Sequence, residues 1–206
     1  RRRSGVAKGL RVSLIKRIPS ASGLGGGSSD GAAALVGANL LWGLNWSAQQ
    51  LVSVSAELGS DVPFFLHGGL ALGVGRGDEI YPLGDVARHA VVVARPDLHV
   101  STAEVYSRLP RQLTWARLED SVYAFVAGAA ALRWDRMVND LQSVVCEGWP
   151  EVADVLDRMG GHGPVRAAVT GSGSAVFGVF ADDAVADRAA ESLAEVAWVH
   201  RGATLS

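Results

Sequence analysis

The segment Pro19-Ser20-Ala21-Ser22-Gly23-Leu24-Gly25-Gly26-Gly27-Ser28-Ser29-Asp30 places four glycines within five positions. Glycine removes the side chain where backbone N–H groups must come close to a ligand. The segment leads into a stretch with Leu35, Ala38, Leu41 and Trp42 at helical spacing. The free N–H groups and positive dipole end of that helix would face whatever the loop holds. Ser28 and Ser29 add hydroxyls suited to phosphate oxygens or a magnesium ion. A triphosphate fits such a cradle; a flexible structural loop is the plainer alternative. No Lys follows the glycines as in a Walker loop, and the G-x-G-x-x-G spacing of a dinucleotide fingerprint is absent.

Two further segments could carry chemistry. Leu58-Gly59-Ser60-Asp61-Val62-Pro63-Phe64-Phe65-Leu66 sets one acid among apolar residues directly after a helix stop. Burial raises a carboxylate's pKa unless a cation stabilises the charged form. Asp61 therefore reads either as a proton acceptor or as the cap of a turn. Thr170-Gly171-Ser172-Gly173, between two apolar runs, reads as a tight turn or as a second phosphate-binding loop. Cys146 is the one cysteine, which excludes an internal disulfide, and it reads as a buried apolar residue. No metal-ligand spacing occurs, so no metal site is assigned to side chains.

The elements around these segments follow from periodicity. Residues 10–18 alternate apolar and polar, as in a strand with one wet face, and Pro19 ends it. Ser47 and Gln50 form a capping box before the stripe Leu51, Val54, Leu58, which stops at Gly59. Residues 68–83 read as two short strands around Gly75-Arg76-Gly77-Asp78. Beyond them, strands are expected at 90–94, 165–169, 175–180 and 198–203, and helices at 102–108, 118–132, 135–146, 150–159 and 184–196. Neighbouring strands close enough to pair directly indicate an α+β fold rather than a doubly wound parallel sheet. The boundary is expected near Gly84, giving domains 1–84 and 85–206.

Composition bounds the rest. The 206 residues are 49% hydrophobic and 19% charged with net charge −2, a globular balance without general attraction to nucleic acid or anionic membranes. No apolar stretch could span a bilayer and no signal segment opens the chain, so a soluble, cytoplasmic protein is expected. Arg1, Arg2, Arg3, Lys8, Arg11, Lys16 and Arg17 crowd the start, with no acid before Asp30. No aromatics interleave to stack on bases, and a solvated basic loop fits better than a nucleic-acid tail.

Together and in this order, Lys16-Arg17-Ile18-Pro19 through Ser29, the segment 58–66 and Thr170-Gly171-Ser172-Gly173 resemble the GHMP kinase superfamily. The stretches at 95–106, 139–141 and 201–203 extend the resemblance over nearly the whole chain. It implies an N-terminal domain like domain 2 of ribosomal protein S5, incomplete here, and a ferredoxin-like C-terminal domain. It also implies ATP with Mg2+, the phosphates lying against Pro19, Ser20, Ala21, Ser22, Gly23, Leu24, Gly25, Gly26, Gly27, Ser28 and Ser29. Asp61 would take the proton of the attacking hydroxyl, the 2-hydroxyl of 4-diphosphocytidyl-2-C-methyl-D-erythritol in non-mevalonate isoprenoid formation. Tyr106 would lie against the cytosine ring, with Thr102, Gly171, Ser172 and Gly173 completing the substrate side. Kinases of other small alcohols, such as homoserine or mevalonate, and a catalytically dead nucleotide-binding remnant are the alternatives.

The chain departs from the family at its front. The family's first strand, with a catalytic Lys and a Tyr-His pair, has no counterpart, since Lys8 and Lys16 stand elsewhere; the chain reads as a fragment. Removing one electrostatic group of this kind costs about 100- to 1000-fold in rate. The 206-residue chain is therefore expected to turn over at least that much more slowly than a version carrying the front strands. Equal kcat values in a side-by-side assay would contradict this.

Overall fold

The structure is a computed structural model that describes residues 2–109, 134 and 137–204. The helix expected at 118–132 lies outside the described residues. The chain divides into two compact units, Arg1–Ile18 with Gly25–Gly84, and Pro19–Leu24 with Asp85–Ser206.

In the first unit, α1 (Gly26–Leu41) and α2 (Ala48–Ser55) are joined by a tightly bonded loop. Asn39 secures it, accepting from Trp46 N through Oδ1 at 3.0 Å and donating from Nδ2 to Trp46 O at 3.3 Å. The capping box then starts α2: Gln50 N donates to Ser47 Oγ and Ser47 N to Gln50 Oε1. A single turn, α3 (Phe64–His67), precedes the antiparallel hairpin of β1 (Leu70–Val74) and β2 (Glu79–Gly84). Its turn needs Gly75 and Gly77, both at positive φ, as left-handed turn positions do.

Residues 10–18 are a correction: they form no strand. Their apolar members stand exposed, Val12 at 60% and Ile15 at 81%. Alternation is only half of a strand; the other half is a neighbour to hydrogen-bond with. Among the described residues, the one sheet of this unit is the β1-β2 pair, and residues 10–18 add nothing to it.

The second unit contains β3 (Ala90–Arg95), α4 (Thr102–Arg108), α5 (Gln142–Gly148), α6 (Pro150–Gly160), β4 (Arg166–Val169), β5 (Val176–Phe180), α7 (Asp183–Ser192) and β6 (Trp198–Ala203). The sheet order β4-β5-β3-β6 has every neighbouring pair antiparallel. That is the order of the ferredoxin-like split β-α-β motif. Strand β3 alternates buried Ala90, Val92 and Ala94 with half-buried residues, and these pack with Val145, Val152, Met159, Phe180 and Leu193. Gly178 sits in the middle of β5 because a methyl group there would lie 2.7 Å from Met159 Sδ. Cys146 packs half-buried against this core, and burial, before the fields of Asp157 and Glu147, pushes its thiol pKa up. The helix expected from residue 135 starts only at Gln142, because Asn139 Oδ1 takes Leu141 N at 3.0 Å. Such an Asx turn competes with helical bonding.

No helix among the described residues is long and apolar enough to cross a membrane. At the surface, Asp183 in the first turn of α7 meets Arg88, before β3, and Arg201 on β6. Hydrogen bonds from Arg88 first and Arg201 second hold the Asp183 carboxyl at about 2. A carboxylate lowered in the folded state contributes stability above its unfolded pKa, near 4, and loses it as pH falls toward the folded value. Asp183→Asn should thus lower the melting temperature at pH 7 and flatten its decline between about pH 4 and pH 2. A scan of melting temperature against pH that is parallel for both proteins would contradict this.

Candidate active site

In the second unit, residues 19–24 lie along the turn between β4 and β5. Ala175 N donates to Ser22 O at 3.0 Å, and Thr170 Oγ1 donates to Gly23 O at 2.9 Å. The approach is backbone to backbone. Gly23 has φ 77°, and a methyl group on it would fall 2.0 Å from Thr170 O; one on Gly171 would fall 3.2 Å from Gly23 O. Gly23 is required by conformation and clash together, and Gly171, at φ 54° with a tight approach, is favoured by its left-handed conformation. The turn closes on itself through Gly173 N to Thr170 O at 2.9 Å and Thr170 N to Ala175 O at 3.0 Å. Ser174, fully buried, donates to Leu98 O at 3.2 Å.

Side chains from further along the chain fix the same turn. Asn139 Nδ2 donates to Val169 O at 2.9 Å and to Gly171 O at 2.7 Å, and Gln142 Oε1 accepts from Val169 N at 3.0 Å. Thr102, the first residue of α4, shares a 2.7 Å hydroxyl hydrogen bond with Ser172. Tyr106 lies about one turn further along α4 and is 59% exposed. Thr102, Gly171, Ser172 and Gly173 are thus joined to the first half of the glycine segment, and Tyr106 shares their helix. Thr170 and Asn139 were not among the sequence candidates. Thr170 stood inside a quoted motif, but a bond spanning 147 residues leaves no local sign. For Asn139 the available sign was an Asn two residues before an apolar run.

In the first unit, Gly25 is the N-cap of α1 at φ 65°, and no side chain caps the helix. The first backbone bond is Ser29 N to Gly25 O at 2.9 Å, so the N–H groups of Gly26, Gly27 and Ser28 precede the helical ladder. The Phe65 ring closes on Gly25 so tightly that a methyl group there would lie 2.7 Å from it. The same segment places Asp61 in a turn closed by Val62 N to Gly59 O at 3.2 Å. Val62 and Pro63 point inward and are buried, whereas Asp61 is exposed, with Ser60 Oγ donating to its Oδ1 at 3.3 Å. The apolar neighbours do not enclose the carboxylate; they anchor the turn that presents it. Lys16 Nζ lies 2.5 Å from Asp30 Oδ2 in the early turns of α1.

These features suit an anion. Uncapped N–H groups at a helix start and a glycine loop without side chains can receive phosphate oxygens. Ser28 and Ser29 are the hydroxyls at that start. Among the described residues no three His, Cys, Asp or Glu side chains gather as a metal site.

Comparison with known proteins gives a consistent set. The family signature described as GHMP kinases N terminal domain matches residues 1–69, and GHMP kinases C terminal matches residues 129–197. The chain is 43% identical over 196 residues to the 4-diphosphocytidyl-2-C-methyl-D-erythritol kinase of Moorella thermoacetica, covering 91% of this chain and 67% of that protein. It is 41% identical over 191 residues to the enzyme of the same name from Solibacter usitatus, covering 90% and 60%. A crystal structure of 4-(cytidine 5'-diphospho)-2C-methyl-D-erythritol kinase superposes with a TM-score of 0.73 at 31% identity, covering 93% of this chain and 69% of that one. The chain thus spans about two thirds of the length of these relatives.

Gly23→Ala should cost at least about 2 kcal/mol, since a left-handed conformation and a backbone clash combine at one position. Chemical denaturation should show the loss. An unchanged midpoint would mean that residues 19–24 do not lie on the 170–175 turn.

Proposed function

The chain belongs to the GHMP kinase family, and from that premise we propose that the whole protein transfers the γ-phosphoryl group of ATP to the 2-hydroxyl of 4-diphosphocytidyl-2-C-methyl-D-erythritol. The observation that carries this reading is the identity of about two residues in five with kinases of that name, over nine tenths of this chain. An uncapped glycine helix start, a second glycine turn and a solvent-facing carboxylate support the same reading.

Phosphoryl transfer asks for positioning and charge neutralisation more than for covalent chemistry. The N–H groups of residues 23–28 would receive the α-, β- and γ-phosphate oxygens. Magnesium, held by those oxygens with Ser28 or Ser29, would neutralise charge on them. Asp61 would accept the proton of the 2-hydroxyl as its oxygen bonds to the γ-phosphorus and the bond from phosphorus to the bridging oxygen breaks, leaving ADP. An exposed carboxylate on an anchored turn is suited to this, being open to an incoming hydroxyl and fixed in place. Tyr106 would stack on cytosine, and the hydroxyls of Thr102 and Ser172 would meet polar groups of the substrate. The alternative acceptors, homoserine and mevalonate, carry no ring for Tyr106. The work would be done in the cytoplasm, with no nucleic-acid or membrane partner.

The whole protein, given magnesium-ATP and the cytidine-linked alcohol, should yield the 2-phosphate by mass spectrometry. Asp61→Asn should reduce the rate about 100- to 10,000-fold while ATP binding persists, and CDP should compete with the alcohol. Absence of product with bound ATP would overturn the choice of acceptor. An Asp61→Asn variant as fast as the parent would remove Asp61 from the chemistry.

A further inference from the structure

From the bonds around the second glycine turn we infer that Asn139 is a positioning residue for nucleotide binding, acting on the phosphate loop through Thr170 without touching that loop itself. The inference rests on the reading of residues 19–29 as an ATP phosphate loop. Its starting point is that Asn139 is fully committed to backbone. Nδ2 spends one hydrogen on Val169 O at 2.9 Å and the other on Gly171 O at 2.7 Å, while Oδ1 takes Leu141 N at 3.0 Å. With two carbonyls on one side and an N–H on the other, only one orientation of the amide satisfies all three partners.

Those two carbonyls flank Thr170. Asn139 therefore holds the 169–170 and 171–172 peptides through the carbonyls of the two neighbours of Thr170, whose Oγ1 reaches Gly23 O at 2.9 Å and whose own carbonyl limits position 23 to glycine. Gln142 supports the same strand end by taking Val169 N at 3.0 Å. The path is thus Asn139 to the Val169 and Gly171 carbonyls, then Thr170, then Gly23. Every step is a hydrogen bond or a backbone contact within the second unit. The ordinary role of such a residue would be to join α5 to β4 and to affect stability alone. The distinguishing feature here is that its two donors bracket Thr170, whose side chain bonds to the loop at Gly23 O. Displacing that side chain changes the direction of the amides around Gly23, whereas Val145, Val152 and Met159 pack in the core and make none of these bonds.

Two isosteric variants test this. Asn139→Asp replaces the NH2 by a carboxylate oxygen facing two carbonyl oxygens. Thr170→Val deletes only the bond to Gly23 O. In the whole protein, each should weaken ATP binding, read by titration calorimetry, by about tenfold or more, the range expected when a buried hydrogen bond is removed. KM for ATP should rise in step and kcat should change much less. The double variant should lose little beyond the worse single one, because both act on one path. Asn139→Asp with a lowered melting temperature but parental ATP affinity in the folded fraction would overturn the inference, as would fully additive losses. If Asn139→Asp does not fold, Thr170→Val with parental affinity overturns it alone. A parent that binds ATP but leaves the cytidine-linked alcohol unphosphorylated defeats the choice of acceptor and leaves this inference standing. A parent that binds no ATP defeats both.

Discussion

The architecture of the candidate site depends on one steric constraint: at Gly23 and Gly171 two stretches of backbone meet where no side chain fits. A methyl group 2.0 Å from a carbonyl oxygen cannot be relieved by a rotamer change, because both partners are main chain. The glycines at 23, 25 and 171 thus have structural reasons for being glycine that do not involve a ligand. The same lack of side chains is what a loop that receives phosphate oxygens through its N–H groups also needs. Structure and binding ask for the same residue, which is why a glycine-rich segment could be read from sequence either as a loop or as a cradle.

A similar economy governs Asp61. Its turn is anchored by Val62 and Pro63, both buried, and by Phe65 against Gly25. The acid itself faces outward. The apolar neighbours hold the turn, and the carboxylate stands exposed at the surface on that fixed support.

What could be read from sequence divides along physical lines. Local signals transferred well: the Ser47-Gln50 capping box, the Gly75 and Gly77 turn, the run 90–94 that became β3, and the strand 198–203 that became β6. Each depends on residues within a few positions. The alternation at 10–18 was a local signal too, but a strand is a property of two segments, and no neighbour pairs with this one among the described residues. The start of α5 was misplaced because a side chain, Asn139, outbids the helical pattern just before it. The long-range bonds of Thr170 and Ser174 had no sequence sign, and the Asn before Leu141 gave no hint of the carbonyls that Asn139 reaches. A hydrogen bond to a carbonyl 30 or 147 residues away follows from the topology, not from spacing.

The Thr170 to Gly23 bond also has a consequence in time. Its ends are 147 residues apart, so during synthesis the loop at residues 19–24 emerges long before the turn on which it rests. At ordinary elongation rates that interval is roughly ten to thirty seconds. For that period the glycine segment has neither its backbone partners nor the left-handed φ they enforce at Gly23. The nascent chain thus carries this glycine segment without its support until β4 and β5 have been made, and contacts of such sequence separation are among the slowest to close.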